Sequence, residues 1–309
     1  MRESELLDDV IAGAAPLPPH VLIGPGDDLA ALRASDAPML LGVDQVIDGL
    51  HVDAATTPWN LIGGKAIRRC LSDVAAMAGR PHAALVAAAI PTSATREQVN
   101  ELCRGLQEAA HANKTPIVGG DLSIHRSDSA PLTISVTVLG HIGPQGPISR
   151  EGALPDDLVV ATGHFGGSLE LGGGGRHLTA PPRINEALEL AALLGDDLHA
   201  MIDVSDGLGR DAGRIAVASG LQVTLEASRI PTSPGISDLY IPEPTIIPSL
   251  PARIASRGCP YRCPISPSPT ARFTPGVQIN FLSPTFILNS LNSSARLPLP
   301  MNPKTPGFA

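Results

Sequence analysis

An α/β (α+β) chain of two folded units, followed by a tail that fits neither, is what this sequence predicts. Three observations carry the prediction. Apolar runs of strand length alternate with segments of helical spacing up to about residue 220. The 309 residues favour two domains over one. After Ile230 the character changes: sixteen prolines fall between 231 and 309, where Asp238 and Glu243 are the only acidic residues.

Taken in order, residues 1–20 read as a short helix and a proline-rich loop. Pro38–Val46 reads as a strand, with Asp44 ending its apolar run. Pro58–Ala78 reads as a helix opened by proline, with Leu61, Ile62, Ala66, Cys70 and Val74 on one face. The run 83–90 is strand-like and Pro91 stops it. Thr95–Asn113 reads as a helix with Thr95 as cap and Gln98 at the capping-box position. Residues 116–121 read as a short buried strand ending in a glycine turn. Residues 132–140 alternate with period two, the cleanest strand in the chain.

A second unit opens near Arg150. A strand at 157–163 runs into a glycine turn and a glycine-rich stretch at 166–175. Helix is expected over Pro182–Leu194, strand into loop over 199–208, and helix over Gly209–Ser219. Beyond 231 the proline density opposes helices and interior strands, with 277–282 the one strand-like run. Two readings of the tail stand: a flexible segment, or a stretch that is not the native continuation, such as a shifted reading frame.

Composition narrows the function. Aromatics are 3% of residues, so the core must be aliphatic. A net charge of −8 argues against nucleic-acid binding through a basic face, although divalent cations would let an acidic protein hold a nucleotide. Cys70 and Cys103 read as small buried hydrophobes, and the pair Cys259 and Cys263 has no second ligand pair nearby. No signal peptide and no membrane-length apolar run is read from the chain, so a cytoplasmic protein is expected.

Four aspartate-bearing points stand where apolar runs meet loops: Gly26-Asp27-Asp28, Leu71-Ser72-Asp73, Gly119-Gly120-Asp121 and Asp203-Val204-Ser205-Asp206-Gly207. Singly, each is as readily an ordinary turn. The last resembles half of a calcium loop but lacks its closing glutamate. Ser72 and Asp73 are poorly suited to a helix interior unless their side chains have a task. Together the four suggest oxygen ligands for Mg²⁺ beside a phosphate. The phosphate loop G-x-x-x-x-G-K-[ST] is absent. Lys65 and Arg150 are the nearby cations, Lys65 being read first as a solvated helix-face residue. No residue stands out as a general base, and an ionised phosphate acceptor requires none.

The ordered blocks G-D-D, V-D-Q-V-I-D-G-L-H, G-G-K-A-I-R-R-C-L-S-D-V-A-A-M, V-G-G-D, S-R-E-G-A-L-P-D-D-L-V-V-A-T-G, G-R-H-L, P-P-R-I and I-D-V-S-D-G-L resemble the thiamine-monophosphate kinase family, of the aminoimidazole ribonucleotide synthetase-like superfamily. The resemblance covers about residues 20–231. It implies the two-domain fold of that superfamily with an incomplete C-terminal domain. The units would be 1–148 for ATP, Mg²⁺ and dimerisation, 149–231 as a partial C-terminal domain, and 232–309 as the proline-rich, disordered or non-native tail. The implied reaction is ATP-dependent phosphorylation of thiamine monophosphate to thiamine diphosphate by direct transfer, with several Mg²⁺ ions, in a homodimer joined through the N-terminal sheet.

By position, Asp28, Asp44, Asp73, Asp121, Asp203 and Asp206 match metal ligands. Gly120, Asp121, Arg150 and Ser205 match ATP contacts, and His51 matches a substrate contact. Gly42 and Val43 stand where the family has metal-binding side chains, leaving only backbone oxygen there. The family's G-G-E-D-Y-E-L block and late aromatic have no counterpart after Ile230. Two rival readings are another ATP-dependent member of the superfamily, aminoimidazole ribonucleotide synthetase-like, and a non-catalytic nucleotide-binding remnant.

Overall fold

The computed structural model describes residues 16–25, 29–33, 38–127, 129–168, 174–223, 225, 230–231 and 233, together with the strand 287–291. The expectations for residues 1–15, Asp28, Cys259, Cys263 and the run 277–282 lie outside the described residues.

The N-terminal unit is built on a four-stranded sheet in the order β3-β6-β4-β5. A two-stranded hairpin, β1 (Val21–Ile23) and β2 (Ala31–Leu32), precedes it. Strand β3 (Met39–Ile47) and β4 (Arg80–Ile90) both pair antiparallel with β6 (Thr133–His141), while β5 (Ile117–Ile124) runs parallel to β4. A parallel pair needs a crossover, and α2 (Arg96–Ala112) supplies it. The Thr95 hydroxyl accepts from Gln98 N at 3.2 Å and the Gln98 side chain accepts from Thr95 N at 2.9 Å, the capping box read from sequence.

Helix α1 (Trp59–Ala76) packs against α2 and the sheet. The core between them is aliphatic, as the scarcity of aromatics requires: Ile62, Ile67, Leu71, Val99, Leu102, Ile134 and Val136 are all 1% exposed or less. Fully burying each such side chain contributes about 1.5–3 kcal/mol. Two glycines set how close the helices come. A methyl group on Gly105 would stand 1.9 Å from the Asn60 carbonyl oxygen, and one on Gly63 would stand 2.3 Å from that of Leu102.

Asp44 is interior to β3, which runs three residues past it, and Gly119-Gly120-Asp121 lies within β5 rather than in a turn. The glycine is needed there because β5 presses on β4: a methyl on Gly120 would meet the Val86 carbonyl oxygen at 1.8 Å.

The second unit has a three-stranded sheet, β7 (Leu158–Ala161), β9 (Ile287–Leu291) and β8 (Leu198–Asp203), with β9 in the middle and antiparallel to both. Helices α3 (Ile184–Leu194) and α4 (Leu208–Ala218) accompany it. Phe165 pairs with the chain that follows α4, donating from N to Pro231 O and accepting at O from Ser233 N, each at 2.8 Å. The two units meet along α1. Ala75 in its last turn and Ala78, two residues past its end, share a buried cluster with Ile148, Ala187, Ala191, Leu198 and Met201. Among the described residues no helix is long and apolar enough to cross a membrane.

Candidate active site

Helix α1 turns one face to the sheet and a second, polar face to the other unit. Along that second face Lys65, Arg68, Arg69, Ser72 and Asp73 follow one another at helical spacing. Arg68 donates to Leu178 O, Arg69 pairs with Asp44 of β3, and the Ser72 hydroxyl donates to Asp203 Oδ2 at 2.7 Å. This explains why Ser72 tolerates a helix interior: its hydroxyl is buried and engaged across the seam.

Asp73 stands at the centre of a charged group. Burial pushes its carboxyl up to about 7, and the neighbouring carboxylates of Asp203 and Asp44 push the same way, with Arg150 and Arg69 opposing. Water still reaches the side chain, which is exposed. Asp203 is buried at the end of β8, and that burial raises its pKa, against the hydrogen bond from Ser72 and the charge of Arg150. Three elements distant in sequence, β3, α1 and β8, therefore bring Asp44, Asp73 and Asp203 within mutual electrostatic reach, with exposed Arg150 beside them.

The 203–207 loop is held by a residue that the sequence reading missed. Asp211 is 0% exposed, and its Oδ2 accepts from both Ser205 N and Asp206 N at 2.9 Å while Oδ1 takes Arg214 Nη1 at 2.6 Å. Its burial raises its pKa. The available signal was an aspartate in the first turn of α4, where the helix dipole favours an anion. Asp206 itself is paired with Arg214, and Arg210 lies 3.9 Å away.

His51 follows β3 in the loop that leads to α1. Its Nδ1 accepts from Ile47 N at 3.0 Å, and burial, followed by the charges of Arg69 and Lys65, lowers its pKa. The expectation that Lys65 is a solvated helix-face residue is wrong. Its Nζ donates to His51 O at 2.6 Å and to His177 Nδ1 at 2.8 Å, and burial, then Arg69, brings its pKa down to about 8. The polar face of α1 reads as solvent-facing in sequence; here it is the seam between units.

Gly120 and Asp121 are not part of this group. In register, Asp44 pairs with Val136, Val136 with Val86, and Val86 with Gly120. That is three strand spacings, about 14 Å. Asp121 alternates with core-facing Leu122, so it lies on the sheet face opposite α1, where its Oδ2 accepts from Ser123 Oγ at 3.0 Å.

The donors fit a hard divalent cation in part. Carboxylates crowded together until one is held half-protonated near neutral pH form the environment that a cation relieves. Among the described residues no three His, Cys, Asp or Glu side chains form a ready-made cage. Mg²⁺ commonly takes one or two carboxylates and completes its shell with water and substrate phosphate, so the arrangement suits an ion shared with a phosphate.

Compared with known proteins, the chain matches the family described as AIR synthase related protein, N-terminal domain, over residues 26–142, and AIR synthase related protein, C-terminal domain, over residues 156–243. It is 39% identical over 223 residues to the thiamine-monophosphate kinase of Rhodopirellula baltica, covering 70% of this chain and 67% of that protein. It is 31% identical over 242 residues to that of Mycobacterium tuberculosis, covering 74% and 70%. Among solved structures, thiamine-monophosphate kinase from Stenotrophomonas maltophilia K279a aligns with a TM-score of 0.63 at 27% identity, over 74% of this chain and 75% of that one. AaThiL complexed with AMPPCP and TMP aligns with a TM-score of 0.57 at 26% identity, over 76% and 77%. The two-part family match, the identity to curated relatives and the shared architecture lead to one conclusion: the chain belongs to the thiamine-monophosphate kinase family of AIR synthase related proteins.

Proposed function

We propose that this chain transfers the γ-phosphoryl group of ATP to the phosphate of thiamine monophosphate, giving thiamine diphosphate, with Mg²⁺ held by its aspartates. The observation that supports this reading is that Asp44, Asp73 and Asp203 lie within electrostatic reach of one another, beside Arg69 and Arg150. The related AaThiL complex with AMPPCP, a methylene analogue of ATP, and TMP supports the choice of the two substrates.

Both substrates are anions and repel each other, so phosphoryl transfer depends on neutralisation and alignment more than on covalent chemistry. Bound Mg²⁺ would neutralise phosphate oxygens and bring the two anions into line. Asp44, Asp73 and Asp203 would hold it, with Asp206 and Asp28 as further ligands. Arg69 and Arg150 limit the mutual repulsion of the carboxylates. The N–H to Nδ1 bond from Ile47 leaves the neutral His51 ring with its proton on Nε2, a donor suited to a phosphate oxygen. Ser205 is offered on a loop fixed by Asp211, and Arg150 is kept with it as a nucleotide contact.

The same proposal includes a homodimer and a cytoplasmic setting, where ATP is available. On the outer face of the N-terminal sheet, Leu41 is 74% exposed and Val43 64%, with Leu85 two strands away, an apolar face suited to a second copy.

The test is ADP release coupled to thiamine diphosphate detection, with ATP, Mg²⁺ and thiamine monophosphate. Product should appear only when all three are present. A folded protein that binds ATP and Mg²⁺ yet releases no ADP in response to thiamine monophosphate would overturn the reading.

A further inference from the structure

Lys65 is a cation enclosed by neutral acceptors. Its ammonium donates to a carbonyl, His51 O, and to an imidazole nitrogen, His177 Nδ1. The carboxylate that acts on it most is Asp44, already paired with Arg69. His177 is 5% exposed and sits in the short turn Arg176–Leu178, 112 residues further along the chain. One ammonium group thus joins three pieces: α1, the loop carrying His51, and a turn of the second unit. Arg68 makes a parallel tie from α1 to Leu178 O in the same turn.

We propose that Lys65 is a positioning residue for the acceptor substrate: by tying the His51 carbonyl to the His177 ring, it aims the His51 imidazole at the substrate phosphate. The inference rests on the functional reading above, in which His51 meets the substrate. Among the described residues the His51 ring has one anchor, the Ile47 N–H to Nδ1 bond. The backbone that carries the ring is held by Lys65. Without the ammonium, the His51 carbonyl and His177 Nδ1 both lose a charge-assisted donor. The 48–52 loop then keeps its turn bonds, such as Gly49 N to Val52 O at 2.8 Å and His51 N to Ile47 O at 2.9 Å, and its tie from Asp48 N to Leu132 O at 2.9 Å, but the His51 carbonyl loses its link through Lys65 to His177. The effect should fall on the substrate that His51 touches and spare the nucleotide, which His51 does not.

The experiment compares Lys65→Met, His177→Leu, His177→Asn and the Lys65→Met/His177→Leu double variant. Steady-state kinetics and calorimetric binding of thiamine monophosphate are measured on folded protein. Lys65→Met should raise KM for thiamine monophosphate about tenfold, leaving KM for ATP within about twofold. His177→Leu should do the same, and His177→Asn, which keeps an acceptor for the ammonium, should stay near the parent. The double variant should be no worse than the more impaired single variant, since both remove one link. Unchanged KM for thiamine monophosphate in Lys65→Met, or His177→Asn as impaired as His177→Leu, overturns the proposal. If Lys65→Met does not fold, the two His177 variants decide alone. A parent protein that binds ATP but not thiamine monophosphate overturns the functional reading and this inference together. Parent binding with unaffected variants overturns only this inference.

Discussion

Asp73→Asn is expected to make the metal-free protein more stable while removing its function. The folded state raises the Asp73 carboxyl from 3.8 to about 7. Between those values the folded chain holds a proton that the unfolded chain has released, so stability falls as pH rises from about 4 through 7. At about 1.4 kcal/mol per unit, the full shift corresponds to about 4 kcal/mol. Water reaches the side chain, so screening reduces this to about 1–2 kcal/mol. Asparagine keeps the shape of the neutral acid without its ionisation. In EDTA at pH 8 the variant should melt about 2–8 °C above the parent, and below about pH 4, where both states are protonated, the gap should close. Added Mg²⁺ and ATP should raise the parent melting point and leave the variant unmoved. A variant that melts at or below the parent at pH 8 without metal would refute the account of crowded carboxylates.

Two further outcomes follow from contacts elsewhere. Gly105→Ala puts a methyl where the Asn60 carbonyl oxygen stands 1.9 Å away, so α1 and α2 must separate, at a cost of about 1–3 kcal/mol in urea unfolding; an unchanged midpoint would contradict the close approach. Asp211→Asn weakens the anion that holds Ser205 N, Asp206 N and Arg214, and should cost about 2–3 kcal/mol in the same assay; equal stability would show that the loop is held by other groups.

Local signals were legible in the sequence where one segment decides its own structure. The Thr95 and Gln98 capping box and the alternation of β6 are short-range patterns, and both appear as read. Gly119 and Gly120 were misread because glycine usually punctuates a chain; at Gly120 the lack of a side chain admits a neighbouring strand's carbonyl, which no local pattern reveals. Lys65 failed for a similar reason. Helical spacing places it with Arg69 and Asp73 but cannot say that His177 arrives from the other unit to cover that face. The family resemblance singles out Asp44, Asp73 and Asp203 as expected metal ligands, and the fold brings the three within electrostatic reach. The packing shows what the names could not: Ser72 as the donor to Asp203, Asp211 beneath the loop, and Asp121 on the far side of the sheet.

The central place of β9 bears on the order in which the molecule can be made. Strands β7 and β8 touch β9 rather than each other, so the scaffold under Asp203 lacks its middle member until the ribosome has passed residue 291. The amino-terminal unit, by contrast, has every strand of its sheet once residue 141 has emerged. Assembly of the carboxylate group around Asp203 should therefore trail far behind synthesis of the helix that carries Asp73, and during that delay β7 and β8 offer unpaired edges to whatever extended chain is nearby.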